Sequence, residues 1–531
     1  MELQVGSNLL QARDTTTSRR SALRSLGAGS VGLLTALNGR HLSGSSPLLS
    51  HPLVARRRID APPNIILILT DDLESRSLTF MPNVTALIGT PGTTFSNFLV
   101  TTPVCTPARA SILRGQYAHN HGVLGNAGPN GGFATFHRLG CEASTVATWL
   151  QGAGYRTALI GKYLNGYPEA VDPTYVPPGW DEWSGSIDDT GKYFEYDLNE
   201  NGRLVHYAHD DADYSTDVLA AKATRFIQSG AAANRPFFLF LATQAPHSGA
   251  RPAPRHVAVF TDITVPRPPS FNEADVSDKP PWLRETPELN AEQVATIDET
   301  YRLRLGSLLA VDEMVARIIE VLADTGVLDD TYIVVTSDNG YHLGEHRIQS
   351  AKRTPYEEVI RVPLLVRGPE VAAGRTEERI ALNSDLGPTF ADFAGVIPPE
   401  FVDGRSLAPL LRGEMAAPWR HACLIEGFSG SDPVALTEKR ANRDRDTEQG
   451  GSPGFSTFRA LRTIDQIYVE YVSGARELYD LRSDPYEIEN AIATPDAGLL
   501  TQWTQRLGEL ASCAAVNCHS LEDTPLPSLA P

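Results

Sequence analysis

The stretch Asn64-Ile65-Ile66-Leu67-Ile68-Leu69-Thr70, followed at once by Asp71-Asp72, decides the fold class. Its apolar run shows no alternation, which predicts a strand buried on both faces, as in a parallel sheet. The two carboxylates then fall at the C-terminal end of that strand, where α/β folds place ligands. Such a pair either caps the next helix or binds a metal. A second run, Thr331-Tyr332-Ile333-Val334-Val335-Thr336-Ser337, ends in Asp338-Asn339-Gly340. Two buried strands that each end in paired oxygen donors make a better metal constellation than either alone. Three carboxylates and one amide suit Ca2+ or Mg2+ rather than zinc.

Between these runs the chain alternates. Residues 144–152 and 217–228 read as helices, 157–160 and 236–242 as strands, and 302–325 carries apolar residues at near-helical spacing. That alternation predicts a doubly wound α/β fold. Residues 250–290 are Pro-rich and irregular, a surface excursion near the cleft, and 362–366 is the last strand of the region. From about residue 416 the character changes, with a polar, glycine-containing stretch over 427–454. Short strands at 458–462, 466–471 and 477–480 and a helix near 499–512 predict a smaller α+β subdomain with an antiparallel sheet. The expected division is 1–60, 61–415 and 416–531.

Residues 1–60 read as a segment outside the fold. Ser18-Arg19-Arg20-Ser21 followed by the mildly apolar 26–37 fits a twin-arginine export signal, or else a disordered basic arm, and 43–58 reads as a linker. The first predicts an exported protein, periplasmic or extracellular. No later segment is long and apolar enough for a transmembrane helix. The net charge is −18, and since residues 1–60 hold 8 basic and 3 acidic side chains, the remainder carries −23. Such a surface argues against nucleic acid and anionic membranes as partners, and an anionic substrate needs a locally basic pocket. Five cysteines form no disulfide framework. Cys513 and Cys518 are close enough to bridge in an oxidising compartment, whereas Cys141 and Cys423 read as buried.

The chemistry centres on Cys105-Thr106-Pro107-Ala108-Arg109-Ala110-Ser111-Ile112-Leu113-Arg114-Gly115. Thr106 suits an N-cap, Pro107 the first helical position and Gly115 the stop, so Cys105 sits at a helix mouth that favours an anion. Arg109 adds a cation. A lone cysteine is ordinarily a small buried hydrophobe. This ordered stretch, however, resembles the signature of the type I sulfatases, in which that cysteine is oxidised after translation to Cα-formylglycine.

The resemblance extends over most of residues 62–400, through Asn-Ile-Ile-Leu-Ile-Leu-Thr-Asp-Asp, Gly161-Lys162-Tyr163-Leu164-Asn165, Ala245-Pro246-His247-Ser248 and Thr336-Ser337-Asp338-Asn339-Gly340. Leu478-Tyr479-Asp480-Leu481 followed by Asp484-Pro485 looks like the family's C-terminal strand and turn. The shared stretches are closest to the N-acetylglucosamine-6-sulfatase branch. The resemblance implies an alkaline-phosphatase-like mixed sheet. It also implies a divalent cation, usually Ca2+, with Mg2+ or Mn2+ as alternatives, on Asp71, Asp72, Asp338, Asn339 and the modified Cys105. Arg109 would hold the formylglycine, Lys162 and Lys352 the sulfate oxygens, and His247 the leaving-group side. A formylglycine-generating enzyme would be a maturation partner. Many relatives carry Lys-x-His where this chain has Leu164, so the missing polar contact falls to Asn165, His119 or His121, or is absent.

The implied activity is that of a sulfuric ester hydrolase acting on a sulfated small molecule or sugar such as N-acetylglucosamine 6-sulfate. One hydroxyl of the hydrated aldehyde attacks sulfur, and loss of a proton from the other ejects sulfate. The pocket must first neutralise the anion, which a cation and several Lys/Arg groups do. An arylsulfatase, or a phosphonate or phosphate monoester hydrolase using a transition metal, shares the scaffold. A silent binding protein would keep Cys105 as a thiol. A two-zinc phosphatase lacks its His-rich second site here.

Overall fold

In the computed structural model the chain is described over residues 62–187, 192–416, 418–429, 455–495 and 497–527. The export segment expected over 1–60 lies outside the described residues, as does the polar stretch 430–454.

The apolar run Asn64–Thr70 forms a strand buried along its whole length. It lies at the heart of a ten-stranded sheet. From one edge the order is Arg375–Glu377, Thr93–Phe95, Leu364–Arg367, Thr331–Ser337, Asn64–Thr70, Phe237–Ala242, Arg156–Gly161, Glu182–Ile187, Tyr196–Glu200 and Arg203–Tyr207. Asn64–Thr70 is parallel to Phe237–Ala242 and Thr331–Ser337, and Arg156–Gly161 is parallel to both its neighbours. Leu364–Arg367 runs antiparallel to both of its neighbours, so the sheet is mixed.

Both faces are covered, which explains the missing alternation. Ile66 and Ile68 point into one apolar layer with helices Ser215–Ala232 and Ala291–Asp324. Ile65, Leu67 and Leu69 point into the other, with helices Cys105–Arg114, Val146–Gly152 and Leu386–Phe393. At roughly 1.5–3 kcal/mol per buried large aliphatic side chain, each strand is anchored from above and below.

A separate sheet of four antiparallel strands comprises Ala422–Gly427, Phe458–Thr463, Gln466–Tyr471 and Arg476–Asp480. Helix Ala497–Leu510 covers it through Trp503, Leu507 and Leu510. Cys513 and Cys518 are bridged, and Cys141 and Cys423 are buried thiols. Among the described residues no helix is long and apolar enough to cross a membrane.

The structure adds to the expected elements at several points. Residues 362–366 are not the last strand of the region, because Arg375–Glu377 and Ala381–Leu382 follow. The long helix begins at Ala291 rather than 302, because Asn290 and Gln293 form a reciprocal capping box. The outermost pair Tyr196–Glu200 and Arg203–Tyr207 is joined by Asn201-Gly202, both at positive φ, the turn chemistry that a two-residue hairpin requires. The small sheet gains Ala422–Gly427 as a fourth strand.

Candidate active site

The register of the parallel strands sets Thr70 beside Ser337, and this places the two acidic turns side by side. Asp338 donates its backbone N–H to the Thr70 carbonyl (3.1 Å), and Asp71 donates its own to the Ala245 carbonyl (3.3 Å). Three strand ends are thereby tied together. Asp72 takes a left-handed backbone, φ 67°, which is costly without a glycine and collects at functional sites. Its N–H donates to Asp338 Oδ1 (3.1 Å), and the next N–H, of Leu73, donates to Ser337 Oγ (2.8 Å). From helix Ala291–Asp324, the buried Arg304 donates to the carbonyls of Asp72 (2.5 Å) and Pro246 (2.9 Å) and pairs with Glu74 (2.6 Å). One guanidinium thus fixes the Asp72 turn and the His247 loop together.

Cys105 opens helix Cys105–Arg114, buried from Cys105 through Leu113. The expected N-cap is corrected. Val104 occupies that position and Cys105 is the first helical residue. Thr106 instead spends its hydroxyl on the neighbouring loop, donating to Asn165 Oδ1 (2.8 Å) and accepting the Asn165 N–H (3.0 Å). Asn126 Oδ1 accepts the Thr106 N–H (2.9 Å), doing the work of a cap from outside the helix. Gly115 does stop the helix in a left-handed conformation.

All nine residues expected at the site converge. Cys105 Sγ lies 3.3 Å from Asp71 Oδ1 and 2.8 Å from Lys352 Nζ. Lys352 also pairs with Asp72 Oδ1 (2.8 Å), and Lys162 with Asp71 Oδ2 (2.7 Å). Arg109 pairs with Asp338 Oδ2 (2.8 Å) and approaches Asp71 Oδ2 (3.5 Å), while donating to the Lys162 carbonyl (2.9 Å). Asn339 Nδ2 donates to Asp72 Oδ1 (2.5 Å), and His247 Nε2 lies 3.6 Å from Asp72 Oδ2.

Burial and charge decide the ionisation here. Burial raises the Asp71 carboxyl, but Lys162, His247, Arg109 and Lys352 outweigh it and hold Asp71 well below the usual carboxylate range. Burial, with Asp71 next, pushes the Cys105 thiol well up against the pull of Lys162 and Lys352. The unmodified side chain is therefore a neutral thiol and a poor nucleophile. Burial and the Asp71 charge likewise raise Asp338, with Arg109 opposing.

The donor chemistry fits a divalent cation. Asp72 Oδ2 and Asn339 Oδ1 are fully buried oxygens without a hydrogen bond among the described residues, an expensive condition unless a cation is to be met. Ligand atoms of Asp71, Asp72, Cys105 and His247 all lie within 4.8 Å of one another. Hard oxygens dominate, as a calcium or magnesium site requires.

Two of the three candidates for the missing polar contact are engaged with other partners. His119 Nδ1 bonds Glu426 (2.7 Å), and His121 Nε2 bonds Ser111 Oγ (3.2 Å). Asn165 is near the helix mouth, engaged with Thr106. The role of Arg304 was hidden within an apolar helix, although an arginine beside Leu305 and Leu308 on a buried stripe is itself a signal.

Comparison with known proteins agrees with this geometry. The sulfatase family model matches residues 63–396. The N-acetylglucosamine-6-sulfatase of Homo sapiens is 35% identical over 492 residues, covering 86% of this chain and 86% of its own length. The arylsulfatase of Volvox carteri is 34% identical over 506 residues, 86% of this chain and 75% of its own. A structure solved in complex with its substrate D-glucosamine-2-N,6-O-disulfate superposes with a TM-score of 0.69 at 27% identity, covering 85% of this chain and 97% of that one. With a mixed doubly wound sheet of the alkaline-phosphatase type and a cysteine set between carboxylates and lysines at the ends of its strands, the chain belongs to the sulfatase family, the sulfuric ester hydrolases.

Proposed function

We propose that this sulfatase hydrolyses the 6-O-sulfate of a glucosamine-type sugar, using formylglycine made from Cys105 and a calcium ion held by Asp71, Asp72, Asp338 and Asn339. The observation that carries the reading is the position of Cys105 Sγ, between an acid at 3.3 Å and an ammonium at 2.8 Å. The likeness to the human N-acetylglucosamine-6-sulfatase and to the glucosamine disulfate complex supports the sugar.

When bound, the divalent ion supplies positive charge against the sulfate and the developing transition state. Formylglycine, hydrated, supplies a hydroxyl nucleophile where the buried thiol cannot. Arg109, locked on Asp338, orients residue 105 and balances its charge. Lys162 and Lys352 neutralise sulfate oxygens, which lowers the repulsion that protects a sulfate ester from attack. His247 holds the proton at Nε2 for the departing alcohol. The charged side chains of the site are buried, so each charge acts at a lower dielectric than in water.

In the same reading, residues 1–60 are an export signal and linker of the twin-arginine kind, 61–415 the catalytic domain and 416–531 the C-terminal subdomain. A formylglycine-generating enzyme acts on Cys105, and the protein works outside the cytoplasm. N-terminal sequencing of the exported protein checks the first point, and a mature chain starting within residues 1–60 is expected.

The test compares sulfate release from N-acetylglucosamine 6-sulfate with release from an aryl sulfate, and with phosphate release from the matching phosphate ester. Preference for the sugar sulfate is expected. Faster turnover of the aryl sulfate or of the phosphate overturns the substrate assignment. Mass spectrometry of the tryptic fragment Ser77–Arg109 reads the nucleophile directly. A fragment lighter by the exchange of thiol for aldehyde is expected, and an unmodified thiol in active enzyme overturns it.

A further inference from the structure

A second cluster, sharing no residue with the site above, lies where the loop after Asp338 meets the segment after the four-stranded sheet. His346, Glu358 and Glu487 each offer one ligand atom, all within 4.8 Å of one another. His346 is fully buried, and among the described residues its Nε2 has no hydrogen bond; nor does Glu358 Oε2, 4.0 Å away. His346 Nδ1 contacts Glu273 Oε2 at 2.8 Å. A carboxylate on Nδ1 holds the proton there and leaves the Nε2 lone pair aimed into the cluster, the arrangement that orients metal-binding histidines. The ring is fixed by stacking on Tyr356, with centroids 4.1 Å apart.

We propose that His346, Glu358 and Glu487 form a second cation site, for a first-row transition ion such as zinc, that clips the loop carrying Lys352 to the C-terminal segment. One imidazole nitrogen with two carboxylates suits zinc better than calcium. Bonds of about 2.0–2.2 Å require ligand atoms about 3.4 Å apart, so the widest pair closes by about 1.5 Å at most.

Burial lowers His346 to about 4, so the imidazole is neutral and able to ligate. Glu487 is buried as well, and its Oε2 accepts the Glu357 N–H (2.9 Å), which fixes the carboxyl facing the cluster. Lys279, the nearby ammonium, faces Glu273 (3.4 Å) and donates to the carbonyls of Glu487 (2.7 Å) and Ile488 (2.5 Å) instead. The clip has mechanical meaning, because Tyr341 donates its N–H to the Glu358 carbonyl (3.1 Å) only two residues after Asn339.

The test loads the full-length protein with zinc chloride under excess calcium, removes free metal, and measures bound zinc by plasma mass spectrometry. About one zinc per chain is expected in the wild type and in C105A. H346F, which keeps a ring against Tyr356, and E487Q should each fall below about a tenth of that with unchanged circular dichroism. X-ray absorption should show nitrogen and oxygen ligands only, without the ~2.3 Å sulfur shell a Cys105 site would add. If either variant does not fold, anomalous diffraction from zinc-loaded wild type decides. A peak bonded to His346 Nε2 supports the site. No bound zinc, a peak elsewhere, or a sulfur shell lost in C105A overturns it.

Discussion

Asp338 donates its backbone N–H to the carbonyl of Thr70 at 3.1 Å, so two acidic turns far apart in the chain share one wall. Asp338 also holds the buried Arg109 at 2.8 Å. Removing one partner of a buried pair costs about 3–5 kcal/mol, because the other charge stays buried. D338N should lose that much stability in urea unfolding and need at least about tenfold more calcium for half-maximal activity. Unchanged stability would mean that Asp71 alone suffices for Arg109.

Arg304 touches neither the proposed ligand oxygens nor the nucleophile, and it acts through the backbone of Asp72 and Pro246. R304K retains the charge but not the fork that spans two carbonyls. We expect its calcium midpoint to rise about 10–100-fold with little change in KM. A fall in Tm without any shift in the calcium midpoint would reduce Arg304 to a purely structural residue.

In protein produced without the proposed maturing enzyme, Cys105 should stay a thiol far into alkaline pH. Burial and Asp71 raise it, and Lys352 at 2.8 Å opposes them. Ultraviolet titration near 240 nm, with C105A as the blank, should show no thiolate from this residue at neutral pH. K352M should move its appearance still higher. A thiolate already present at pH 7 would contradict the charge balance described here.

His121 gives the fold a pH dependence apart from the chemistry. Burial, then Arg114 and His119, lower it to about 3. Its Nδ1 accepts the Val123 N–H and its Nε2 meets Ser111 Oγ, which suits the neutral ring. A depressed folded-state value contributes stability that is complete above the unfolded value near 6.5 and lost as pH falls toward 3. Between pH 7 and 5 this amounts to about 2 kcal/mol. H121Q should show a pH 7-to-5 loss in urea unfolding that is smaller by about that amount.

Much of the centre of this fold was legible in single stretches. Strand Asn64–Thr70 coincides with its apolar run, and strand Gln466–Tyr471 with its own. Burial on both faces leaves a continuous hydrophobic signature that needs no partner to be read. Elements whose cause is local but small were harder. Asn201-Gly202 makes a hairpin through backbone conformation rather than hydrophobic pattern, and Asn290 starts a helix eleven residues before its apolar stripe becomes dense.

The site divides in the same way. Residue types and order alone determined the α/β class, the acidic strand ends and the cysteine stretch, because each is a property of a few neighbouring residues. Only tertiary structure decided that Asn126 caps the helix from outside while Thr106 binds Asn165, that His119 and His121 bond Glu426 and Ser111, and that Arg304 ties Asp72 to Pro246. It alone also set Glu487 beside His346. Those pairings depend on strand register and helix packing, which bring together atoms that sequence spacing cannot relate.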